Sequence, residues 1–172
     1  MSKYSFIEKE RVVIEDAEII FSNFSGRPGK FNKEGEKNFC VIIDDDEVAQ
    51  ELGNRGWNVR ILRPRDEDDV PRHYIPVAIN FRSFPNVPPA QVVLVSSKAK
   101  TNLTDDTICV LDGADIVSVD LTIRPRHWED DKTGEDKIKA YLHDMYVRVA
   151  ESRLAAKYAD CENPSEVPWE DD

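Results

Sequence analysis

The sequence predicts a mainly β protein, a small Greek-key barrel with one or two short helices and a disordered acidic C-terminal tail. Stretches that alternate β-branched or aromatic residues with polar ones recur along the chain, and two late stretches flank a short polar turn. The last thirteen residues hold six carboxylates and no Lys or Arg. With 172 residues and 40% hydrophobic residues, the chain predicts one folded domain over 1–159 and a tail over 160–172.

The formal net charge of −11 argues against nucleic acid as a partner when it is taken as a bulk property, because phosphates are bound by Lys and Arg. The tail carries more than half of this excess, and residues 1–159 carry only −5. The charge of the predicted folded domain is therefore nearly balanced.

Targeting signals and paired cysteines are not evident in the sequence. No run approaches the ~18 apolar residues of a spanning helix, and the N-terminus lacks an apolar segment followed by a cleavage site. Cys40, Cys109 and Cys161 have neither CxxC nor short zinc spacing. We expect a soluble protein with reduced thiols in the cytoplasm.

The first half of the chain predicts two strands and a helix. Residues 11–24 predict one long strand with Phe21 on its inner face, and residues 38–43 predict a second strand. Residues 44–53 change to helical spacing, with Asp44 as the expected N-cap and Gly53 at the end. Residues 25–37, rich in glycine, predict a loop.

The second half predicts further strands and a hairpin. Strands are expected at 57–62, 73–84 and 91–97, a helical turn from Thr104, and a terminal helix at 151–158. Residues 116–126 and 138–149 alternate and predict a β-hairpin, and the phase slips at Asp144 and Met145, which predicts a bulge. Five or six strands with such a bend favour an open barrel of the OB-fold kind, with a β-sandwich as the alternative.

Basic and aromatic residues cluster locally in this acidic chain, a composition typical of surfaces that bind single strands. Cations would contact the backbone, and rings would stack on bases. For each aromatic the competing interpretation is core packing; Phe21 and Phe39 are expected to be buried, while Trp57 and Tyr141 are left open. The candidate nucleic-acid-binding residues are Arg27, Lys30, Phe31, Lys37, Trp57, Arg60, Arg63, Lys98, Lys100, Arg124, Arg126, Trp128 and Tyr141.

The end of the tail combines an apolar cluster with acids. Trp169 is followed directly by Glu170, Asp171 and Asp172. A buried aromatic can anchor a docking peptide while flanking charges steer it, so we expect these residues to bind a partner protein. The alternative is a tail that only improves solubility.

Catalytic and cofactor motifs find little support. Asp44, Asp45 and Asp46 end an apolar strand, as carboxylates do in some two-metal enzymes, but nothing marks further ligands. His127 and His143 could face each other across the hairpin, yet a zinc site would need more than that. Phosphate-loop, dinucleotide and nucleophile-elbow motifs are missing from the sequence. We expect no enzymatic activity and no bound metal or cofactor.

The chain resembles phage-encoded single-stranded DNA-binding proteins over most of residues 14–150 and at its acidic, aromatic C-terminal tip. The segments that carry the resemblance are DAEIIFSNFSGRPGKFNKEGEKNFCVIIDD (16–45), GWNVRILRPRDEDD (56–69), VDLTIRPRHWE (119–129) and KAYLHDMYVRV (139–149). The resemblance implies an OB-fold, sequence-tolerant binding of single-stranded DNA in replication or recombination, and a tail that recruits replication or recombination proteins.

Three other classes compete with this interpretation: a phage inhibitor that mimics DNA and binds a host protein, a structural β-domain, and an enzyme of unrecognised type. A mimic would spread acids over its folded face, whereas here they concentrate in the tail. A homo-oligomer is compatible with the sequence, which decides neither oligomeric state nor a preference for DNA over RNA.

Overall fold

The computed structural model describes residues 2–29, 35–62, 70–82, 88–96 and 99–150, and these residues fold mainly into β-strands, as predicted. They contain one α-helix, α1 (Asp46–Asn54), and two 3₁₀ segments, Glu8–Glu10 and Ile108–Gly113. The strands are β1 (Lys3–Phe6), β2 (Val12–Glu15), β3 (Ile19–Asn23), β4 (Lys37–Ile43), β5 (Arg60–Leu62), β6 (Arg72–Ile79), β7 (Gln91–Val95), β8 (Lys100–Leu103), β9 (Ile116–Glu129) and β10 (Asp136–Val149). The expected helix at 151–158 and the tail at 160–172 lie outside the described residues.

The β9–β10 hairpin is the centre of the sheet. Each of its strands has 14 residues, and they pair antiparallel from Glu129 and Asp136 at the turn to Ile116 and Val149 at the far end. The strand order is β1-β2-β9-β10-β6-β4-β3, with β10 parallel to both β6 and β7. The predicted hairpin is thus confirmed, and it is longer than expected.

The predicted bulge lies in the middle of β10. The register shifts between Leu142 and Asp144, so His143 has no partner on β9. On the other edge, β10 pairs with β6 at Ala140 and Tyr141 and with β7 from Asp144 onward. Because a bulge bends its strand and increases the local twist, this one lets a single strand serve two neighbours.

The sheet curls until its two sides approach each other. The N–H of Ala17 donates to the carbonyl of Val119 on β9 (2.7 Å), and the N–H of Ile42 on β4 donates to the carbonyl of Glu18 (2.9 Å). Within the described strands, β3 and β9 share no ladder, so these bonds join the sides without closing a full barrel. The result is a curved, partly open sheet, close to the predicted open barrel.

The inner face of the hairpin supplies much of the core. Val119, Leu121 and Ile123 on β9, and Leu142 on β10, are at most 1% exposed. Trp57, which the sequence leaves open between core and surface, is 4% exposed and therefore packs in the core. Its backbone bridges to Ile138 of β10.

The prediction of a single long strand over 11–24 is wrong in one respect, because the structure has two strands there, β2 and β3. Asp16 has a φ of 54°, which interrupts the extended backbone between β2 and β3. Its N–H donates to the carboxylate of Asp120 (2.9 Å), which holds the break against β9.

The prediction that Phe21 is buried is also wrong. Its side chain is 63% exposed, whereas Phe39 is buried as expected. The register between β3 and β4 shifts between Ile20 and Asn23, and Phe21 has a φ of 52°. This irregularity turns the ring out of the alternating pattern and away from the core.

The helix α1 is capped by Asp45 rather than Asp44. The Asp45 carboxylate accepts from the N–H groups of Glu47 (2.9 Å) and Val48 (3.3 Å). Asp44 accepts instead from the Tyr4 hydroxyl (2.7 Å) of β1, a strand that the sequence did not predict. Burial, together with this hydrogen bond, raises the pKa of Tyr4 to about 12, so the hydroxyl stays a donor.

The remaining expected elements are present with shifted ends. The strand expected at 57–62 is shorter and comprises only β5. The strands expected at 73–84 and 91–97 correspond to β6 and β7. The helical turn expected from Thr104 leads into the 3₁₀ segment at Ile108–Gly113. Of the helices described, none is long and apolar enough to cross a membrane.

Replacing Leu142 by Ala should lower the free energy of unfolding by about 2–5 kcal/mol, because truncation of this fully buried side chain next to the bulge would leave a cavity. Urea denaturation followed by circular dichroism measures the loss. Val117→Ala, on the same hairpin but 60% exposed, is the control and should change stability by less than about 0.5 kcal/mol. Equal losses in the two variants would contradict the placement of Leu142 in the core.

Candidate nucleic-acid interface

The outer face of the β9–β10 hairpin carries three cross-strand pairs of cationic and aromatic side chains. Ile123 on β9 and Ile138 on β10 point into the core, so their neighbours in the alternating pattern point outward. The register sets these outward residues directly opposite one another. The pairs are Arg124 with Tyr141, Arg126 with Lys139, and Trp128 with Lys137.

Cations lie over both rings of this face. The Arg124 guanidinium is 5.9 Å and the Lys139 ammonium 5.3 Å from the centroid of the Tyr141 ring, and the Lys137 ammonium is 5.9 Å from that of Trp128. Burial lowers the pKa of Arg124, although an arginine stays charged near neutral pH. Trp128 is 46% exposed. The face therefore presents positive charge and accessible π surface together.

An open cleft of about 1360 Å³ adjoins this face. The side chains of its central strands are small: Cys40 on β4 lies opposite Pro76 on β6, and Ala78 on β6 lies opposite Tyr141 on β10. On the β3 side, the exposed ring of Phe21 lines the same cleft. Small side chains between aromatic ones leave room for a flat group.

Two further residues define the end of the cleft near β5. The Tyr74 ring meets that of Phe21 edge to face, with centroids 6.0 Å apart and planes at 75°. Arg60 of β5 lies opposite Tyr74 and is exposed. Burial raises the pKa of the Cys40 thiol to about 11, with the nearby charge of Arg60 acting in the opposite direction. The thiol is therefore protonated at neutral pH and adds no negative charge to the cleft.

Ion pairs separate the cations near the cleft into two groups. Lys37 is paired with Asp105 and is only 11% exposed, and Lys137 is paired with Asp130 at 2.9 Å. Among the residues that the structure describes, no carboxylate lies within ion-pair distance of Arg124, Arg126 or Lys139. The charges of these three hairpin cations are therefore not neutralised by an ion pair within the described part of the chain.

Comparison with known proteins identifies the family of this chain. A family model for the phage ssDNA-binding domain matches residues 1–167. The chain belongs to this family. No curated protein sequence matches it.

Solved structures support the same fold. The single-stranded DNA-binding protein of bacteriophage Enc34 superimposes with a TM-score of 0.51 at 8% identity, covering 98% of this chain and 95% of that one. Its C-terminal truncation gives a TM-score of 0.51 at 10% identity, with 88% and 92% covered. The same protein in complex with ssDNA gives 0.51 at 13% identity, with 88% and 93% covered. At these identities the likeness concerns the fold of this phage ssDNA-binding domain.

The sequence-predicted site residues fall into three groups in this domain. Trp57, Arg60, Trp128, Tyr141 and Lys37 line the cleft, although Trp57 is buried and Lys37 is paired. Arg124 and Arg126 lie beside the cleft on the hairpin, whereas Arg27, in the turn after β3, and Lys100 on β8 do not line it. The predictions that lie outside the described residues concern Lys30, Phe31, Arg63, Lys98, Trp169, Glu170, Asp171 and Asp172.

Sequence reasoning missed four residues of the cleft and hairpin face. Lys137 and Lys139 follow from the alternation of β10 once the register with β9 is known, so the hairpin prediction contained their signal. The position of Tyr74 at the cleft depends on which strands pair with β6, so it could not be predicted from the sequence alone. For Phe21 the pattern pointed the wrong way, because the irregular backbone at that position has no signature in the sequence.

The two histidines of the hairpin have different surroundings. The register sets His127 opposite Ile138 while His143 lies in the bulge, so the idea that they face each other is wrong. Hydrogen bonding to Glu10, aided by Asp136 at 3.3 Å, raises the pKa of His127. Burial lowers the pKa of His143. Over the described part of the chain, no group of three or more metal-ligating side chains occurs.

We expect His127 to titrate above, and His143 below, the ordinary histidine pKa of about 6.5. Since the folded state binds the His127 proton more tightly, the stability it contributes is complete below the ordinary pKa and is lost as pH rises through the raised pKa. NMR titration of the imidazole resonances measures both values. Glu10→Gln should lower the pKa of His127 and leave that of His143 unchanged; the reverse order of titration in the native protein would contradict the assignment.

Proposed function

We propose that this domain binds single-stranded DNA without sequence preference and acts in phage DNA replication or recombination. One observation carries the proposal: the outer face of the hairpin presents cations that have no carboxylate partner among the described residues, next to the exposed ring of Trp128 and the half-buried ring of Tyr141. Cations that follow the backbone and rings that stack on bases are the two requirements of sequence-tolerant binding. Membership of the phage ssDNA-binding family supports it.

Phosphates would lie along the uncompensated cations. Arg124, Arg126 and Lys139 occupy neighbouring positions on the two strands, and Arg60 lies at the β5 end of the cleft. Each phosphate neutralised by one of them releases a condensed counterion, which makes the affinity fall as salt rises. Lys37 and Lys137 would contribute less, because Asp105 and Asp130 already hold their charges.

Bases would stack on the rings beside the cleft. Trp128 and Tyr141 present partly exposed faces, and every base has a π surface, so such contacts tolerate any sequence. Trp57 does not fit this role, because its ring packs in the core and supports the cleft from below. We retain Lys30, Phe31, Arg63 and Lys98, which lie outside the described residues, as proposed contacts, with Arg27 and Lys100 as peripheral ones.

The acidic C-terminal residues would couple this binding to other proteins. Trp169 would anchor the tail in a partner of the replication or recombination machinery, and Glu170, Asp171 and Asp172 would steer it. With its six carboxylates the tail can also compete with DNA for the cationic face. DNA binding would then release the tail for its partner.

The rival function, an acidic mimic of DNA that occupies a host protein, requires carboxylates on the folded face. The three outward cross-strand pairs beside the cleft, Arg124 with Tyr141, Arg126 with Lys139 and Trp128 with Lys137, consist of cations and aromatics instead. Their chemistry favours a nucleic acid as the ligand.

Replacing Tyr141 or Trp128 by Ala should weaken binding of fluorescent oligo(dT) about 5- to 150-fold, the loss of ~1–3 kcal/mol expected for one stacked base. Fluorescence anisotropy at low salt measures the change. Tyr146→Ala is the matched control, since Tyr146 lies on the same strand, is 45% exposed and does not line the cleft.

If native protein fails to bind oligo(dT) at low salt, or binds duplex equally well, the proposed function is wrong. If Tyr146→Ala loses as much affinity as Tyr141→Ala, the function stands but the hairpin face near the cleft is not where bases stack.

Removing residues 160–172 should tighten binding of single strands at low salt, because six competing carboxylates are lost. The gain should shrink as salt rises and screens the tail. Anisotropy titrations of the full and shortened chains at several salt concentrations test this. Equal affinity of the two chains at low salt would disprove competition by the tail.

A further inference from the structure

The cationic row of the hairpin continues onto the neighbouring strand. Val12 of β2 pairs with Ile123 of β9, and both side chains are buried. In an antiparallel register the residues next to this pair, Arg11 and Arg124, are neighbours on the opposite face. Arg124 in turn lies opposite Tyr141. Arg11, Arg124 and Tyr141 therefore form one row that crosses three strands and ends at the cleft.

The bulge of β10 holds Arg11 in place. The Nη1 of Arg11 lies 3.1 Å from Nε2 of His143, the residue that has no partner on β9. A guanidinium can only donate, so the imidazole nitrogen accepts and the ring is neutral. The Nε of Arg11 donates to the carbonyl of Glu8 (3.1 Å). These two bonds orient the guanidinium, and its remaining donors make no further hydrogen bond to the described residues.

Arg11 and Arg124 are both close enough to His143 for their charges to act on it, and both lower its pKa in addition to the larger effect of burial. In the part of the chain that the structure describes, neither arginine has a carboxylate within ion-pair distance. The carboxylate that acts on His143 is that of Asp144, the next residue in the bulge. Two half-buried guanidiniums without an ionic partner form a concentration of positive charge that an anion would neutralise.

We propose that Arg11 and Arg124, at the bulge of β10, form a binding subsite for one phosphodiester group of the single strand as it leaves the cleft. The proposal rests on the proposed function, because it extends the same DNA path from Tyr141 across β9 to the start of β2. Guanidiniums suit this ligand, since their planar donors match the oxygens of a phosphate. Arg11 is thereby assigned a role in DNA binding that its position outside the cleft does not suggest.

Arg11→Gln should weaken oligo(dT) binding about tenfold at low salt, as expected for the loss of one charged hydrogen-bonded contact. The slope of log affinity against log salt concentration should become shallower by about 0.7, the value for one phosphate contact on a single strand. Arg124→Gln should show the same two effects. In the double variant the slope of log affinity against log salt concentration should become shallower by no more than the value for one to two phosphate contacts.

Arg72→Gln is the matched control, because it removes the same charge from an arginine already bound to Glu18 at 2.7 Å. Its slope should equal that of the native protein. The subsite is disproved if Arg11→Gln binds with native affinity and slope, or changes the slope no more than Arg72→Gln does, while Tyr141→Ala weakens binding. If native protein itself does not bind oligo(dT), the proposed function fails first. Circular dichroism and urea denaturation confirm that each variant is folded.

Discussion

The long antiparallel ladder between β9 and β10, with the bulge at His143 in its middle, is the constraint on which the other features depend. Its inner side chains supply the centre of the core, and its outer ones form the cationic and aromatic face. Because side chains alternate along a strand, one run of paired residues serves both purposes at once. At the bulge, the partner of β10 changes from β6 to β7. This change curves the sheet and places the cleft beside the hairpin. A slip of one residue would bury the cations and expose the core, so the register is strongly determined.

Electrostatics in this protein are decided by pairing rather than by net charge. A chain with a formal charge of −11 still presents positive charge where its cations have no carboxylate partner. Lys37 and Arg72 are paired with Asp105 and Glu18, whereas Arg124 and Lys139 have no carboxylate within ion-pair distance in the part of the chain that the structure describes. The distinction matters because a paired surface cation offers little further attraction to a phosphate, whereas an unpaired one beside a low-dielectric wall attracts it strongly. Counting lysines and arginines along the sequence misses this difference.

The parts of the fold that the sequence predicts are those governed by local periodicity. The hairpin, its bulge, β4 and the helix all follow from spacing that is visible within a short window. The errors occur where distant contacts override local pattern. Phe21 alternates like a core residue, but the shifted pairing between β3 and β4 turns it outward. Asp44 precedes a helix like a cap, but Tyr4 from a strand forty residues earlier takes its carboxylate. Trp57 carried no pattern that could decide between core and surface.

Taken alone, the amino-acid sequence determined the mainly β class, the hairpin with its bulge, the concentration of acid in residues 160–172 and the resemblance to phage single-stranded DNA-binding proteins. These features depend on periodicity, composition and residue order, all of which are local or additive. Only the tertiary structure decided which cations are paired with carboxylates, that Phe21 and Tyr74 line the cleft, that the Trp57 ring is buried in the core, and that Arg11 lies beside Arg124. Those facts depend on which strands pair and in what register, and pairing between distant segments is set by the packing of the whole sheet.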